Sequence, residues 1–312
     1  MASYLVTGGC GFLGSNITEH LVQKGEKVRV LDNLLTGHRA NLDGFADKVE
    51  FVQGDLLDFP TVEKAVTGVD YILHQAALPS VQRSVEDPRL SNRINVEGTV
   101  NLLEAARAAG VKRVVYAASS SAYGDQPASV KTEDLLPLPK SPYAVSKLTC
   151  EYYLQSFSDC FGLETVSLRY FNVFGPRQDP NSHYSAVIPI FITKVLRGES
   201  PTIYGDGLQS RDFTYVENNV RANVLAATAP SSASGKVMNV ACGTSFSLLD
   251  LLAEINGILG TNIKPKFAEA RKGDVKHSLA DISRAKELIG YEVSVDFREG
   301  LRRTIDWYKA RI

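Results

Sequence analysis

Near its N-terminus the chain carries the glycine-rich stretch Thr7-Gly8-Gly9-Cys10-Gly11-Phe12-Leu13-Gly14. An apolar run, Tyr4 to Thr7, leads into this stretch, and a pattern typical of a helix, Gly11 to Lys24, continues from it. In such a setting glycines permit a tight turn, let the backbone approach a pyrophosphate and allow the helix to pack on the strand. The stretch therefore predicts dinucleotide binding at a strand-to-helix turn, with a plain tight turn as the alternative.

Short apolar runs alternate with helical patterns from residue 4 to about residue 170. Alternation of this kind is typical of βαβ units, in which helices cover both faces of a parallel sheet. We therefore predict an α/β protein with a Rossmann-type doubly wound parallel sheet in a nucleotide-binding domain, residues 1–174. The predicted strands are Tyr4 to Thr7, Lys27 to Leu31, Val49 to Val52, Tyr71 to His74, Arg113 to Ala118 and Glu164 to Tyr170. The predicted helices are Gly11 to Lys24, Thr61 to Thr67, Ser91 to Ala109 and Pro142 to Phe161.

Beyond residue 175 the elements become shorter and are separated by more glycine and proline. We predict that residues 175–312 form a smaller α/β lobe that binds the substrate, with some segments returning to the first domain. The helices predicted in this lobe are Val187 to Arg197, Glu217 to Thr228, Ser247 to Leu259, Ile282 to Ile289 and Arg298 to Lys309.

The composition argues against several classes of partner. The 312 residues include 34 Lys and Arg and 35 Asp and Glu, so neither nucleic acid nor an anionic membrane is expected as a partner. No apolar run approaches the length of a membrane span, and the early first strand leaves no room for a signal peptide. The four cysteines are scattered, so we expect no metal site, no disulfide framework and a cytoplasmic location.

Two carboxylates follow predicted strands. Asp32 lies 18 residues after Gly14, where a carboxylate can accept both hydroxyls of an adenine ribose and would repel a 2′-phosphate. This position favours NAD over NADP as the cofactor, although an ordinary turn or cap aspartate is the alternative. Asp55, after the third strand, is a weaker candidate for a contact with the adenine amine.

The chemistry is predicted to lie in Tyr143 and Lys147, which are four residues apart and so share one face of the helix that Ser141-Pro142 begins. A nearby ammonium lowers the pKa of a phenol and makes it useful as a base. The run Ser119-Ser120-Ser121 follows the fifth strand, where a hydroxyl can share a hydrogen bond with the tyrosine and the substrate. We predict Tyr143, Lys147, Ser121 and Ser120 as catalytic residues. A buried tyrosine beside an exposed lysine, and an ordinary serine loop, are the alternatives.

As a set, these motifs resemble the extended short-chain dehydrogenase/reductases, and within them the UDP-hexose 4-epimerases, particularly the bacterial UDP-N-acetylglucosamine 4-epimerase type. The resemblance covers essentially the whole chain and rests on the glycine loop and on His74-Gln75-Ala76-Ala77, Ser119-Ser120-Ser121-Ala122-Tyr123-Gly124, Tyr143-x-x-x-Lys147 and Arg169-Tyr170-Phe171-Asn172-Val173-Phe174-Gly175.

The resemblance implies a set of ligand contacts. The predicted NAD-binding residues are Gly8, Gly11, Phe12, Leu13, Gly14, Asp32, Asn33, Asp55, Leu56, Gln75, Ala76, Ala77, Ser119, Tyr143, Lys147, Tyr170 and Val173. The predicted substrate-binding residues are Ser80, Ser121, Tyr143, Asn172, Arg211, Arg271, Asp274 and Ser278. Two arginines suit a diphosphate, since guanidinium groups form forked, charge-assisted bonds with phosphate oxygens; surface ion pairs are the alternative for both.

The implied reaction is reversible oxidation of a UDP-sugar at C4, with Tyr143 as the base. Related dehydratases and decarboxylases carry an acid just after the serine or threonine of the Ser119 loop, and we assign that position to Ala122, which favours epimerisation. A UDP-glucuronate 4-epimerase, a decarboxylase or a 4,6-dehydratase is the alternative within the family. A simple reductase and a non-catalytic NAD-binding regulator are alternatives from other classes.

Two residues bear on the choice of sugar. A small residue at the family's gatekeeper position, which we assign to Ser278, leaves room for an N-acetyl group, whereas Pro79 stands where relatives that prefer N-acetyl sugars are expected to carry glycine. We therefore predict activity on both sugar classes. The resemblance also implies a homodimer formed through a four-helix bundle that includes the helices around Ser91 to Ala109 and Pro142 to Phe161; a cover wholly within one chain is the alternative.

Overall fold

The structure is a computed structural model that describes residues 1–180, 187–270 and 276–311. A seven-stranded parallel sheet runs through it, and from one edge to the other its strands are Lys236–Val240, Glu164–Tyr170, Arg113–Ser119, Tyr71–His74, Ser3–Thr7, Lys27–Asp32 and Val49–Gln53. The strands are β1 Ser3–Thr7, β2 Lys27–Asp32, β3 Val49–Gln53, β4 Tyr71–His74, β5 Arg113–Ser119, β6 Glu164–Tyr170, β7 Val173–Phe174, β8 Thr202–Tyr204, β9 Ser210–Arg211, β10 Thr214–Tyr215, β11 Lys236–Val240, β12 Phe246–Ser247, β13 Lys266–Ala268 and β14 His277–Ser278. The predicted doubly wound Rossmann-type sheet is confirmed.

Successive side chains of the central strands pack in two different apolar clusters. Val6 and Val115 belong to one apolar cluster, and their neighbours Leu5 and Val114 belong to another. Because side chains alternate across a strand, both faces of the sheet are buried, and this explains why the strands read as continuous apolar runs.

Helices cover both faces of the sheet. The helical residues Ile17 and Val220 pack in the first cluster, whereas the helical residues Leu103 and Leu154 pack in the second. The helices are α1 Phe12–Gln23, α2 Phe59–Val66, α3 Val81–Glu86, α4 Pro88–Asn92, α5 Gly98–Ala108, α6 Pro142–Phe161, α7 Val187–Leu196, α8 Val216–Ala227, α9 Leu248–Leu259, α10 Ser283–Ile289 and α11 Phe297–Lys309. Among the described residues, no helix has the length and apolar character needed to cross a bilayer.

The helix predicted from Ser91 to Ala109 is interrupted. A π-helical turn, Arg93–Glu97, separates α4 from α5. The buried side chain of Asn95 in this turn bonds the Leu78 amide and the Ser146 hydroxyl, contacts that apolar periodicity cannot reveal. The short helix α3 was also missed; the hydroxyl of Ser80 caps it by accepting from the Arg83 amide.

Part of the second half of the chain returns to the central sheet. Strand β11 pairs in parallel with β6, as expected for a segment that crosses back, so the sheet extends beyond residue 174. The remaining short strands form small sheets in the orders β10-β7, β12-β9-β14 and β13-β8. The division into residues 1–174 and 175–312 remains a prediction.

Candidate active site

The glycine-rich loop is shaped by close backbone contacts. Gly8 has a positive φ of 68°, and the Gly11 amide donates to the Gly8 carbonyl at 3.0 Å. A Cβ added at Gly14 would lie 2.1 Å from the same carbonyl oxygen, so no larger residue fits there. Helix α1 begins at this point with Gly11 as its N-cap and no side-chain cap. Its amide groups therefore present a positive end that suits a pyrophosphate.

Asp32 connects this loop to the end of β2. Its carboxylate accepts hydrogen bonds from the Cys10 amide at 2.9 Å and from the Leu34 amide at 2.8 Å, and the residue is buried. Each carboxylate oxygen retains acceptor capacity after one such bond. The carboxylate is thus held rigidly beside the glycine loop with acceptors to spare for ribose hydroxyls.

Asp55 and Asn33 are joined at the neighbouring strand ends. The Asn33 amide group donates to Asp55 at 2.8 Å, and the other Asp55 oxygen accepts from the Leu57 amide at 2.9 Å. Leu56, which lies between Asp55 and Leu57 in the chain, is buried. On the other side of the loop, the Ala76 backbone would lie only 2.8 Å from a Cβ at Gly8, so the segment that follows β4 closely approaches the glycine loop.

A closed triangle of hydrogen bonds links Gln75, Tyr170 and Asn223. The Tyr170 hydroxyl donates to Gln75 at 3.2 Å and accepts from Asn223 at 2.6 Å, while the Gln75 amide group donates to Asn223 at 3.0 Å. Burial raises the pKa of Tyr170 to about 12, so its hydroxyl remains a donor. Asn223 was not predicted; a polar residue within an apolar stretch of α8 was the available signal.

Local sequence explains the helix that carries Tyr143 and Lys147. The Ser141 hydroxyl caps α6 by accepting from the Ala144 amide at 3.1 Å, Pro142 occupies its first turn, and Gly162 ends it in the left-handed conformation. Lys147 is 3% exposed, and its ammonium donates to the Ala117 carbonyl at 2.9 Å. Burial lowers the pKa of Lys147 to about 8.

Ser119 is the serine that contacts the predicted base. Burial raises the pKa of the Tyr143 phenol, and a hydrogen bond with the Ser119 side chain opposes this shift. The Ser121 hydroxyl donates to the Ser119 hydroxyl at 2.8 Å. The structure therefore brings Ser119 to Tyr143, because β5 extends through Ser119 and the chain turns after it. The catalytic roles of Ser120 and Ser121 remain predictions.

This arrangement also corrects an electrostatic expectation. Lys147 was expected to lower the pKa of Tyr143, yet in the protein alone that pKa is raised by burial. The Lys147 ammonium is directed to the Ala117 carbonyl, and its Nζ lies 4.8 Å from the centre of the Tyr116 ring.

A neutral histidine lies below the site. His74 bonds the Thr7 hydroxyl through Nδ1 at 2.6 Å and the Thr99 hydroxyl through Nε2 at 3.0 Å. Burial, followed by the charge of Lys147, lowers the pKa of His74 to about 3, so it carries no charge at neutral pH. The histidine therefore joins β1 to β4 and α5 without adding a second cation beneath Lys147.

A cavity of about 430 Å³ is lined by residues that lie between Asn172 and Leu248 in the chain. Its lining combines apolar side chains with the cations Lys194 and Arg211 and with Asn172, a combination that suits a planar ligand carrying negative charge. Arg211 donates to the Ser210 carbonyl at 2.9 Å and to the Lys276 carbonyl at 3.3 Å. Ser278 pairs with Arg211 across β14 and β9.

The remaining predicted substrate residues, and the predicted cofactor contact Val173, lie at several different positions. Ser80 is buried and caps α3. Val173, predicted as a cofactor contact, lines the same cavity as Asn172. Arg271 and Asp274 lie outside the described residues.

The sheet, the glycine loop and the Tyr143–Lys147 helix together define a Rossmann-type nucleotide-dependent enzyme. The chain matches the NAD dependent epimerase/dehydratase family over residues 4–241 and belongs to that family. Its cofactor is NAD, and the loop, the uncapped start of α1 and Asp32 fit this group. The predicted family, enzyme and cofactor are confirmed.

Known proteins resemble the chain over nearly its full length. It is 37% identical to a putative UDP-glucose 4-epimerase of Methanocaldococcus jannaschii, covering 98% of both chains. A UDP-N-acetylglucosamine 4-epimerase structure from Methanobrevibacter ruminantium M1 matches with a TM-score of 0.95 and 43% identity, covering 100% of this chain and 99% of that one. A Thermus thermophilus UDP-glucose 4-epimerase structure in complex with NAD matches with a TM-score of 0.89 and 37% identity, covering 99% and 100%.

Proposed function

We propose that this enzyme is a UDP-hexose 4-epimerase that interconverts UDP-GlcNAc with UDP-GalNAc and UDP-Glc with UDP-Gal. The observation that carries the proposal is the contact of Tyr143 with Ser119 at the end of β5, followed by residues without an acid. With Ser119 as the contacting serine, the positions directly after it are Ser120 and Ser121, and then Ala122. Elimination of water from a 4-keto sugar needs a further acid or base. The absence of an acidic residue at these positions therefore favours reduction of the ketone back to a hydroxyl.

The roles of the chain's own residues follow from their contacts. Burial favours the protonated Tyr143 phenol, so its ionised form would depend on the positive charges of Lys147 and of bound NAD. As a phenolate, Tyr143 takes the proton of the sugar's 4-hydroxyl, and Ser119 donates a hydrogen bond to the developing negative charge. When bound, NAD would supply the hydride acceptor for oxidation at C4 and, in its reduced form, the hydride donor for the reverse reduction. The buried Lys147 ammonium provides positive charge below the site. The Ser121 hydroxyl donates a hydrogen bond to Ser119 and so supports it.

The cavity beside Arg211 supports binding of the UDP moiety. Its apolar lining suits the uracil ring, and Arg211 suits the diphosphate, as guanidinium groups do in general. Arg271 and Asp274 remain proposed contacts for the diphosphate and the ribose. With the nucleotide anchored there, the keto sugar can rotate about the diphosphate linkage and present its other face.

The choice of sugar is proposed to be broad. Ser278 is small and lies next to Arg211 in the sheet, which favours room for an N-acetyl group. Pro79 is exposed, between buried Leu78 and Ser80, and does not narrow the cavity described above. We therefore expect turnover of both acetylated and plain UDP-hexoses.

The test is product analysis after separate incubation with UDP-Glc, UDP-GlcNAc and UDP-GlcA, without added NAD or reductant. Formation of the C4 epimers of the first two supports the proposal. A 4-keto-6-deoxy sugar or a pentose would instead identify a dehydratase or a decarboxylase, and turnover of UDP-GlcA alone a glucuronate epimerase. The matched variant is Tyr143→Phe, and full activity of this variant would disprove the role of the base.

A homodimer is proposed on the exposed face of α6. Val145 and Tyr152 are seven residues apart and so lie on one face of the helix, with 49% and 57% of their surfaces exposed. Exposed Val85 on the neighbouring α3 extends this apolar face. A second copy of the chain is the proposed partner.

The cytoplasmic location also remains a prediction. The four cysteines are free, which supports it.

A further inference from the structure

Asp212 is a buried carboxylate that follows Arg211 at the end of β9. It has no exposed surface, and its carboxylate accepts three backbone hydrogen bonds. The Cys242 amide donates to one oxygen at 2.9 Å, and the Gly243 and Ala280 amides donate to the other at 3.0 and 3.3 Å. These donors come from two separate segments of the chain, so the carboxylate joins three segments at one point.

The joined segments are those that carry the proposed substrate contacts. Cys242 and Gly243 come just after β11, the edge strand of the central sheet, and Ala280 comes two residues after Ser278. The Asp212 carbonyl also accepts a hydrogen bond from the Asn172 side chain at 3.2 Å. Asp212 therefore links the segments of Arg211 and Ser278 to the residues that follow β11, and it also contacts Asn172, which follows β6.

The bonding pattern favours an ionised carboxylate. Its two oxygens accept all three amides, and protonation of one oxygen uses one of its lone pairs and weakens the bond that it accepts. Burial raises the pKa of Asp212 to about 6, and the three backbone bonds oppose this shift. Protonation just below neutral pH would thus weaken at least one of the three connections.

Other titratable groups lie near Asp212. Burial raises the pKa of Cys242 and of Tyr291, and the negative charge of Asp212 raises both further. These two groups therefore stay neutral near pH 6. His277 on β14 bonds the Ser210 hydroxyl at 2.9 Å. Since histidines in general change charge in this range, His277 needs a control.

We infer that Asp212 is a positioning residue for the nucleotide-sugar diphosphate, whose ionised carboxylate holds Arg211 and Ser278 in register with the central sheet. The inference rests on the proposed function, because it names what positions the binding residues of that site. Affinity for a UDP-sugar should therefore fall as the pH drops through about 6. Loss of folding is not expected from this group: its pKa is raised in the folded state, so protonation favours folding.

The experiment measures the dissociation constant of UDP-glucose by calorimetry, with bound NAD and in a Tyr143→Phe background that prevents turnover. UDP-glucose is a suitable probe, since its diphosphate is a diester that does not titrate in this range. We expect binding to be at least about fivefold weaker at about pH 5 than at about pH 7.5. At a pH one unit below its pKa, a carboxyl group is mostly protonated. Circular dichroism at both pH values monitors folding.

Three variants sharpen the result. Asp212→Asn should bind UDP-glucose about as weakly at pH 7.5 as the parent does at pH 5, with unchanged NAD content and no further pH dependence. His277→Gln should keep the pH effect of the parent. Asp296→Asn, which removes a carboxylate charge but keeps an oxygen that can cap α11, should bind like the parent at both pH values.

Equal affinity of the parent at both pH values would overturn the inference, and so would a pH effect that disappears with His277→Gln. Should Asp212→Asn fail to fold, the pH comparison of the parent protein still decides the question. If the parent binds no UDP-glucose even at pH 7.5, the proposed function fails, and the inference that rests on it fails for that separate reason.

Discussion

Arg169 and Glu151 form an ion pair inside the protein, one helical turn beyond Lys147. The guanidinium donates to Glu151 through Nε at 2.9 Å and through Nη2 at 2.7 Å, and the two side chains are 4% and 2% exposed. Arg169 precedes Tyr170 on β6, and Glu151 lies on α6. The pair thus connects the helix that carries the proposed base to the strand that carries a proposed NAD contact.

Removing one partner of this pair should destabilise the protein strongly. Glu151→Gln leaves the Arg169 charge buried without a counterion, and we expect the free energy of unfolding to fall by about 3–5 kcal/mol. The double variant Glu151→Met with Arg169→Met should lose much less than the sum of the single variants. Urea denaturation measures both, and additive losses would show that the pair is not coupled.

Lys147 should set an alkaline limit on activity. Its pKa is lowered to about 8 by burial, so the side chain loses its charge as the pH rises through this value. If that charge supports Tyr143, kcat should decline above about pH 8. Lys147→Met should lower kcat at pH 7 by about a hundredfold or more.

Lys147→Arg provides the matched control, because arginine stays charged at every accessible pH. Whatever activity this variant retains should lack the alkaline decline. An unchanged decline in the arginine variant would assign the limit to another group.

Ser119 and Ser121 should differ in their importance. Ser119 bonds Tyr143 directly, whereas Ser121 reaches it only through Ser119. We expect Ser119→Ala to reduce kcat by about a hundredfold, as loss of one donor at a reacting oxygen does, and Ser121→Ala to reduce it by less than about tenfold. Steady-state kinetics on UDP-glucose distinguishes the two, and a larger effect of Ser121→Ala would restore the assignment made from sequence.

Gly14→Ala should abolish NAD binding. The added Cβ would meet the Gly8 carbonyl oxygen at 2.1 Å, and both groups belong to the backbone, so the loop must open. NAD released from the purified, denatured protein measures the loss. Gly257→Ala is the control: this helical glycine has nothing within 4 Å of an added Cβ, and the change should retain NAD and stabilise α9 by about 0.5–1 kcal/mol.

Tyr152→Glu should dissociate the proposed dimer. A carboxylate at the centre of an apolar helix face would be buried without a partner, which costs more than the contact returns. Light scattering after size-exclusion chromatography gives the mass. Phe267→Ser, which changes an exposed apolar residue on β13, should leave the mass unchanged. A monomeric parent protein would refute the dimer outright.

Local signals were sufficient for some elements. Helix α6 spans Pro142–Phe161 as predicted, because the Ser141 cap, Pro142 and Gly162 mark its ends within the sequence itself. Strand β11 was not predicted, since its five residues gain their place only by pairing with β6, about 70 residues earlier in the chain. The break between α4 and α5 likewise depends on what Asn95 contacts, not on apolar spacing.

The sequence by itself determined the Rossmann-type class, NAD as the cofactor and the Tyr143–Lys147 pair, because alternating apolar runs, a strand–glycine–helix motif and a four-residue helical spacing are all local properties. The tertiary structure alone decided which serine contacts Tyr143, that Asn223 completes the bonds around Tyr170, and that Asp212 joins segments 30 and 68 residues away. Each of these depends on a hydrogen bond between distant parts of the chain, and such a bond leaves no periodic pattern in the sequence.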